Sequence, residues 1–404
     1  MPKSILFGIL QLSWPKFYRR EIDDDSSIHR SGRNIELTDH LESNSFVALL
    51  GKPDSPTDAL ADYSFWLGRA LEQAGHPLKM ERVPWPERGW LSALAWLWRE
   101  ARAWRGQWVL LQYTALAWSR RGVPFGFLAI LRILRLRGAR IAVVFHDAVP
   151  YPGHRWKDRL RRGAQIWVMR RAYRLSRWSI LTVPLHNVAW LSARGEKAVF
   201  IPVGANFSGE AKAQLNGNLR SDRAKTVAVY SVTGAPTLFP ETKFIAQIVR
   251  RAAQASPNLK LLVLGRHADE AAAPLRAELE ATGIELEAYG VLPAEEVERH
   301  LSAADVLLFV RGGISSRRGS AIAGIACGLP VVAFSGAETG PPITDAGVLL
   351  APEGDSEALA AALSRVLKDD ALRCELRKRS AAAQEKYFSW AAIAQRFLEV
   401  LNHA

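Results

Sequence analysis

The segment 311-RGGISSRRGSAIAGIACG-328 combines a glycine-rich turn, two adjacent arginines and the start of an apolar helix. The first amides of a helix have no internal acceptors and carry the positive end of its dipole, so an anion placed there meets several N–H groups at once. Arg317 and Arg318 add charge-assisted donors beside Gly319 and Ser320. The chemistry on offer is the grip of a phosphate or diphosphate; the plain alternative is a glycine turn with solvated arginines. Arg266, just after the apolar run 261-LLVLG-265, is equally a surface charge or a cation at a strand's carboxyl end. Thr233 and Gly234, in the turn 231-SVTGAPTLFPETK-243, offer a hydroxyl and backbone amides.

His146 and Asp147 close the apolar run 140-RIAVVFH-146. A neutral imidazole has one donor and one acceptor and suits the orientation of a hydroxyl, but a lone histidine is more often structural. Asp147 is also placed to cap the following loop. Other chemistries find little support. The run 23-DDD-25 has the Asp-x-Asp form of a metal site, yet it lies in a polar extension and follows no apolar strand, so no metal is expected. There is no phosphate-binding loop ending in Gly-Lys-Ser/Thr, no dinucleotide fingerprint after a strand and no nucleophile elbow. Cys327 and Cys374 are too few for a disulfide framework or a cysteine zinc site, which fits a reducing compartment.

The net charge of +13 is unevenly spread: residues 101–200 hold 19 basic and 3 acidic side chains, and the two flanking stretches are close to neutral. Eleven of the 14 tryptophans fall between Trp85 and Trp190, on the same stretch. Tryptophan beside arginine is favoured at the surface of an anionic membrane. The runs 90-WLSALAWLW-98 and 123-VPFGFLAIL-131 are about half the ~20 residues needed to span a bilayer. Residues 155–178 read as an amphipathic helix, with Trp156, Leu160, Ala164, Trp167, Ala172 and Leu175 on one side and arginines largely on another. That helix is either an ordinary surface helix with a solvated basic side or a membrane-facing one. No nucleic-acid-binding signature accompanies the charge, and nucleic acid is not an expected partner.

Positioning these groups requires strands that end together. At one domain per ~150 residues, 404 residues make two or three domains. Residues 1–43 read as a polar extension with no secretory signal. From residue 45, short apolar runs alternate with amphipathic stretches: strands at 46–51, 108–114, 140–146, 179–184 and 198–203, and a helix at 60–75 ending at its glycine. A Gly/Asn/Ser-rich linker at 204–225 precedes a second series of strands at 226–232, 259–265, 286–291, 305–310, 330–335 and 347–352, again with helices between. Such alternation predicts parallel sheets with right-handed crossovers, in two doubly wound α/β domains whose strand ends face a cleft.

The succession 289-YGVLPAEEVERHLSAADVLLFV-310, 326-ACGLPVVAFSG-336, 347-GVLLAPEGDSEALAAAL-363 and 388-FSWAAIAQRFLEVL-401 resembles the carboxyl half of GT-B glycosyltransferases of family 4. The stretch 200-FIPVGANF-207 is similar to that family's domain junction, and 141-IAVVFHD-147 to its histidine-bearing loop. The resemblance implies a GT-B fold: an acceptor-side domain over 44–205, a nucleotide-sugar domain over 206–386, and a last helix, 387–404, that returns to the first domain. It implies retaining transfer of a hexose-type sugar from a nucleoside-diphosphate donor, with that donor as co-substrate and no cofactor or obligatory metal.

The resemblance gives His146 and Asp147 the reacting sugar, and Arg317, Arg318, Gly319, Ser320, Lys243 and Arg266 the donor diphosphate. Thr233, Gly234, Gly313 and Ser315 fall to the nucleotide and donor sugar, and Thr57 and Asp58, in the loop 52-KPDSPTDA-59, to the acceptor. The sequence departs from the family at its pair of glutamates, whose counterparts, counted back from 326-ACG-328, are Ser315 and Ala323. The expectation is a divergent transferase acting on a lipid-linked or glycan acceptor, in cell-surface polysaccharide or glycolipid assembly. It would work in the cytoplasm, at the inner face of an anionic membrane. A non-catalytic protein that keeps the fold and a nucleotide-sugar epimerase are the rival expectations.

Overall fold

The computed structural model describes residues 45–402 apart from 152, 154, 192–194, 210–223, 255 and 257. The extension over 1–43, its 23-DDD-25 run and most of the expected linker lie outside the described residues.

The first lobe is built from β1 (Phe46–Leu50), α1 (Ala59–Gln73), β2 (Leu78–Arg82), α2 (Trp85–Glu100), β3 (Trp108–Tyr113), α3 (Phe125–Leu136), β4 (Arg140–Phe145), α4 (Trp156–Leu175), β5 (Trp178–Leu181) and β6 (Ala198–Phe200). Its parallel sheet runs in the order β2, β1, β3, β4, β5, β6. The second lobe comprises β7 (Lys225–Tyr230), α5 (Leu238–Ala253), β8 (Leu259–Leu264), α6 (Ala268–Leu279), β9 (Glu285–Tyr289), α7 (Ala294–Ser302), β10 (Val306–Gly313), α8 (Gly319–Ala326), β11 (Val331–Phe334), β12 (Val348–Ala351), α9 (Ser356–Lys368) and α10 (Asp370–Ala383). Its sheet, also parallel, runs β12, β11, β10, β7, β8, β9. The two doubly wound α/β lobes read from the sequence are present.

Parallel strands covered by helices on both faces must be apolar at every position, not at alternate ones. That is why 46-FVALL-50 and 108-WVLLQY-113 are buried throughout. The same rule accounts for the strand missing from the sequence reading. β2 is an edge strand, its 78-LKMER-82 is exposed or half-buried at each position, and it shows no apolar run.

The helix read over 155–178 is present as α4, and its buried residues are Gln165, Val168, Met169 and Ala172. Trp156, Leu160 and Trp167 of its apolar side are 67%, 65% and 46% exposed. A second correction concerns the strand expected over 198–203: it ends at Phe200, and Val203 instead donates its N–H to Ser316 O in the other lobe at 3.1 Å.

The lobes share one core. A single cluster of buried side chains runs from Tyr63, Val144 and Ile180 of the first lobe through Phe207 to Ile314 and Ile322 of the second. After α10 the chain returns as α11 (Trp390–Asn402), which packs on α1. Trp390 Nε1 donates to Ala205 O at 2.9 Å and Phe207 O at 3.1 Å. Its ring lies over Gly204, where an added Cβ would stand 2.7 Å from the indole, so only glycine admits the ring.

Candidate functional site

Each sheet has a point where neighbouring strands lead away in opposite directions, between β1 and β3 in the first lobe and between β7 and β10 in the second. Loops part there at the carboxyl ends of the strands, leaving a crevice. The two crevices face one another, and a cavity of about 540 Å³ between them is lined from one side by Asp58, His146, Asp147 and Tyr151 and from the other by Arg317 and Gly319.

β4 delivers His146. Its Nε2 lies 2.7 Å from the amide oxygen of Gln112 in β3. An amide oxygen only accepts, so Nε2 carries the proton and Nδ1 is the ring's acceptor. The ring stands edge-on to Tyr63, centroids 4.7 Å apart, and Tyr63 stands edge-on to Trp390 at 5.3 Å. Burial pushes the imidazole pKa down to about 3, so it is neutral at pH 7. Asp147 accepts from Tyr151 Oη at 3.2 Å. Burial raises its carboxyl pKa, and Arg317 and the tyrosine hydroxyl oppose the rise.

The two adjacent arginines have different surroundings. Arg317 forms a two-point pair with Glu338, Nε to Oε2 at 2.8 Å and Nη2 to Oε1 at 3.2 Å, and its Nη1 lies 3.6 Å from Asp147 Oδ1. One guanidinium therefore holds a carboxylate of each lobe. Arg318, at the N-cap of α8, has no ion-pair partner among the described residues, and its Nε is buried without an acceptor. Burial, and then the neighbouring Arg317, lower its pKa. A desolvated cation beside the unpaired amides of Gly319 and Ser320 is the arrangement an anion would complete.

Arg266 leaves the end of β8 and crosses to the loop after β1. Its Nε donates to Thr57 Oγ1 at 2.8 Å and its Nη2 to Asp54 Oδ2 at 3.0 Å, with a further bond to Thr57 O. Asp58 accepts from Leu60 N at 3.1 Å and Ala61 N at 3.2 Å as the N-cap of α1, and from Arg82 Nη2 at 2.8 Å.

The remaining candidates are dispersed. Lys243 is exposed on α5 and does not line the cavity. Thr233 N donates to Glu241 Oε2 at 3.2 Å. Gly234 lies against His267, whose ring an added Cβ would approach to 2.8 Å. Gly313 abuts Gly336, with 2.6 Å from an added Cβ to its Cα. Ser315 is fully buried with its hydroxyl unpaired, Ser320 is half-buried in the first turn of α8, and Ala323 is fully buried.

Sequence reasoning did not find Gln112, Tyr63 or Glu338. Gln112 had a signal, a lone amide inside an otherwise apolar strand. Glu338 had a weaker one, a single carboxylate in the loop 335-SGAETG-340 after β11, at the same carboxyl end of the sheet as the turn after β10 that holds Arg317.

Comparison with known proteins bears on this arrangement. Residues 240–369 match the family model described as glycosyl transferases group 1. No curated protein matches the chain. Among solved structures, HepE of Anabaena in complex with UDP and glucose superimposes with a TM-score of 0.60 at 16% identity, over 89% of this chain and 100% of that one. Sucrose-phosphate synthase from Thermosynechococcus elongatus gives 0.59 at 20% identity, over 89% and 98%. A glycosyltransferase from Rickettsia africae gives 0.61 at 11% identity, over 89% and 99%. At these identities the likeness is one of fold, and the fold is GT-B.

Proposed function

We propose that this GT-B chain is a retaining glycosyltransferase that moves a hexose-type sugar from a nucleoside-diphosphate donor to an acceptor hydroxyl. One observation carries the reading: His146 and Asp147 of one lobe meet Arg317 and Gly319 of the other around a single cavity of about 540 Å³. The match of residues 240–369 to glycosyl transferases group 1 favours transfer over epimerisation or binding alone.

Breaking a sugar–phosphate bond builds negative charge on the departing diphosphate. Arg318, with a buried Nε lacking an acceptor, and the first amides of α8 supply donors fixed in advance of that charge. Arg317 is held in place by Glu338 and Asp147, so its own part in gripping phosphate comes with a turn away from Asp147. The neutral ring of His146 orients a sugar hydroxyl through its acceptor nitrogen. The acceptor hydroxyl attacks from the face the diphosphate leaves, and a diphosphate oxygen takes its proton. This scheme requires no carboxylate at Ser315 or Ala323, both of which are fully buried.

The acceptor is a lipid-linked or glycan molecule, presented at the inner face of an anionic membrane during cell-surface polysaccharide or glycolipid assembly. Exposed Trp156, Leu160, Trp167 and Phe125 stand among the exposed arginines of α4, and the Phe125 and Trp167 rings meet edge-on at 5.8 Å, which supports this placement. No helix among the described residues is long and apolar enough to cross a membrane.

Incubation with uridine, guanosine and thymidine diphosphate sugars, reading release of the nucleoside diphosphate, is the test. Release from one donor, lost in Arg318→Ala, is the expected result. Nucleotide binding without release from any donor would leave a binding protein, and interconversion of epimeric donors would leave an epimerase. For the membrane surface, the readout is sedimentation with anionic vesicles; no binding at low salt removes it.

A further inference from the structure

We propose that a second groove, opening from the catalytic cavity, holds the apolar chain of an anionic lipid acceptor, with Arg120 and Arg121 on its phosphate and Trp90 along its chain. The groove is open to solvent, with a volume of about 680 Å³, and shares Ser119 and Arg120 with the cavity, so the two adjoin. Three tryptophans back it, Trp85 and Trp118 buried and Trp90 half-buried. Trp85 and Trp90 stack with centroids 5.0 Å apart and planes 10° apart, joined by a chain kink at Gly89, where φ is 73°. Trp90 lies directly over Gly126, where an added Cβ would come within 2.4 Å of the indole. The absence of a side chain at Gly126 lets that ring lie flat.

The polar character of the lining separates a lipid from a sugar chain. Trp85 Nε1 is engaged with Ala117 O at 3.1 Å and Trp118 Nε1 with Gln112 O at 2.8 Å. Ser119 Oγ accepts from Arg121 N at 3.2 Å and Val123 N at 3.0 Å. Sites for sugar chains pair a ring face with side-chain carboxylates or amides that read hydroxyls, and none of the described residues lining this groove carries either group. Among the described residues two arginines are the lining's only charges, and Arg120 stands where groove and cavity meet. Leu116, half of it exposed, lines the cavity. The occupant that fits has a reactive polar head in the cavity, a phosphate at the junction and a hydrocarbon chain in the groove.

The inference rests on the transferase reading only for what happens to the bound molecule; binding itself needs no donor and no turnover. The probe is decyl phosphate below its micellar concentration, titrated calorimetrically into the full chain. It should bind at least about tenfold more tightly than inorganic phosphate or decanol. Trp90→Ala and Arg121→Ala should each weaken it by about tenfold, Trp90→Phe should retain most of the affinity, and added UDP should leave it in place.

Equal affinity for inorganic phosphate overturns the proposal, as does indifference to both Trp90→Ala and Arg121→Ala. Displacement by UDP would assign the probe to the donor site, and Trp90-dependent binding of a malto-oligosaccharide in its stead would make the groove a glycan site. Transfer activity without decyl phosphate binding removes this inference alone, and binding without transfer removes only the catalytic reading.

Discussion

Arg317 Nη1 lies 3.6 Å from Asp147 Oδ1, a contact that spans the cleft from the end of β4 to the turn before α8. The same guanidinium is doubly bonded to Glu338, so the cation is shared between a carboxylate that moves with it and one that belongs to the opposite lobe.

The two neighbouring arginines should therefore respond differently to removal. Arg317→Ala leaves Glu338 and Asp147 without their cation and should cost about 1–3 kcal/mol of stability. Arg318→Ala removes a desolvated charge that has no ion-pair partner and should leave stability unchanged or slightly raised, while weakening nucleoside-diphosphate binding by about tenfold or more. Chemical denaturation and UDP titration of both variants measure the contrast, and equal losses of stability would contradict it.

His146 should not titrate between pH 5 and 8, because burial holds its folded pKa near about 3 against an ordinary 6.5. The unfolded chain takes up a proton below 6.5 and the folded ring does not. The histidine's contribution to stability is thus complete above pH 6.5 and declines as pH falls toward 3. Flat imidazole resonances through neutral pH, and a shallower loss of stability on acidification in His146→Gln, are the expected results.

Asp58 has a structural task that precedes any contact with an acceptor. Its carboxylate caps α1 and receives Arg82, so Asp58→Ala should cost about 1–2 kcal/mol. Asp58→Asn keeps the cap and should recover most of that cost. If the asparagine variant is as stable as the native chain but loses turnover, the carboxylate also touches substrate; if both properties recover, its role is the cap.

Gly204→Ala drives a methyl against the Trp390 ring, from which an added Cβ would be 2.7 Å. The expected loss is about 1–3 kcal/mol, read as a fall in melting temperature. Because Trp390 braces Tyr63, and Tyr63 braces His146, kcat should fall further than KM rises.

The central strands were legible because a parallel sheet demands apolar residues on both faces, as in 46-FVALL-50. β2 was not, because an edge strand makes no such demand. His146 stood out as a polar residue directly after an apolar strand and Arg317 as a cation in the glycine-rich turn before an apolar helix, and both line the one cavity. Their partners were harder, since Gln112 stands 34 positions from His146 and Glu338 21 from Arg317. Adjacent arginines look alike in a sequence; only packing engages one with carboxylates and leaves the other without them. The apolar stripe of α4 left two readings open, because periodicity marks a face but does not say whether protein covers it; Trp156, Leu160 and Trp167 are exposed.

The return of α11 to the first lobe has a consequence for biosynthesis. A nascent chain grows from its amino end, and its earliest lobe stays uncovered at Tyr63 and Gly204 until Trp390 has left the ribosome. An interrupted product would present that apolar seam to chaperones and proteases, so His146 acquires its final setting only once the chain has been made through α11.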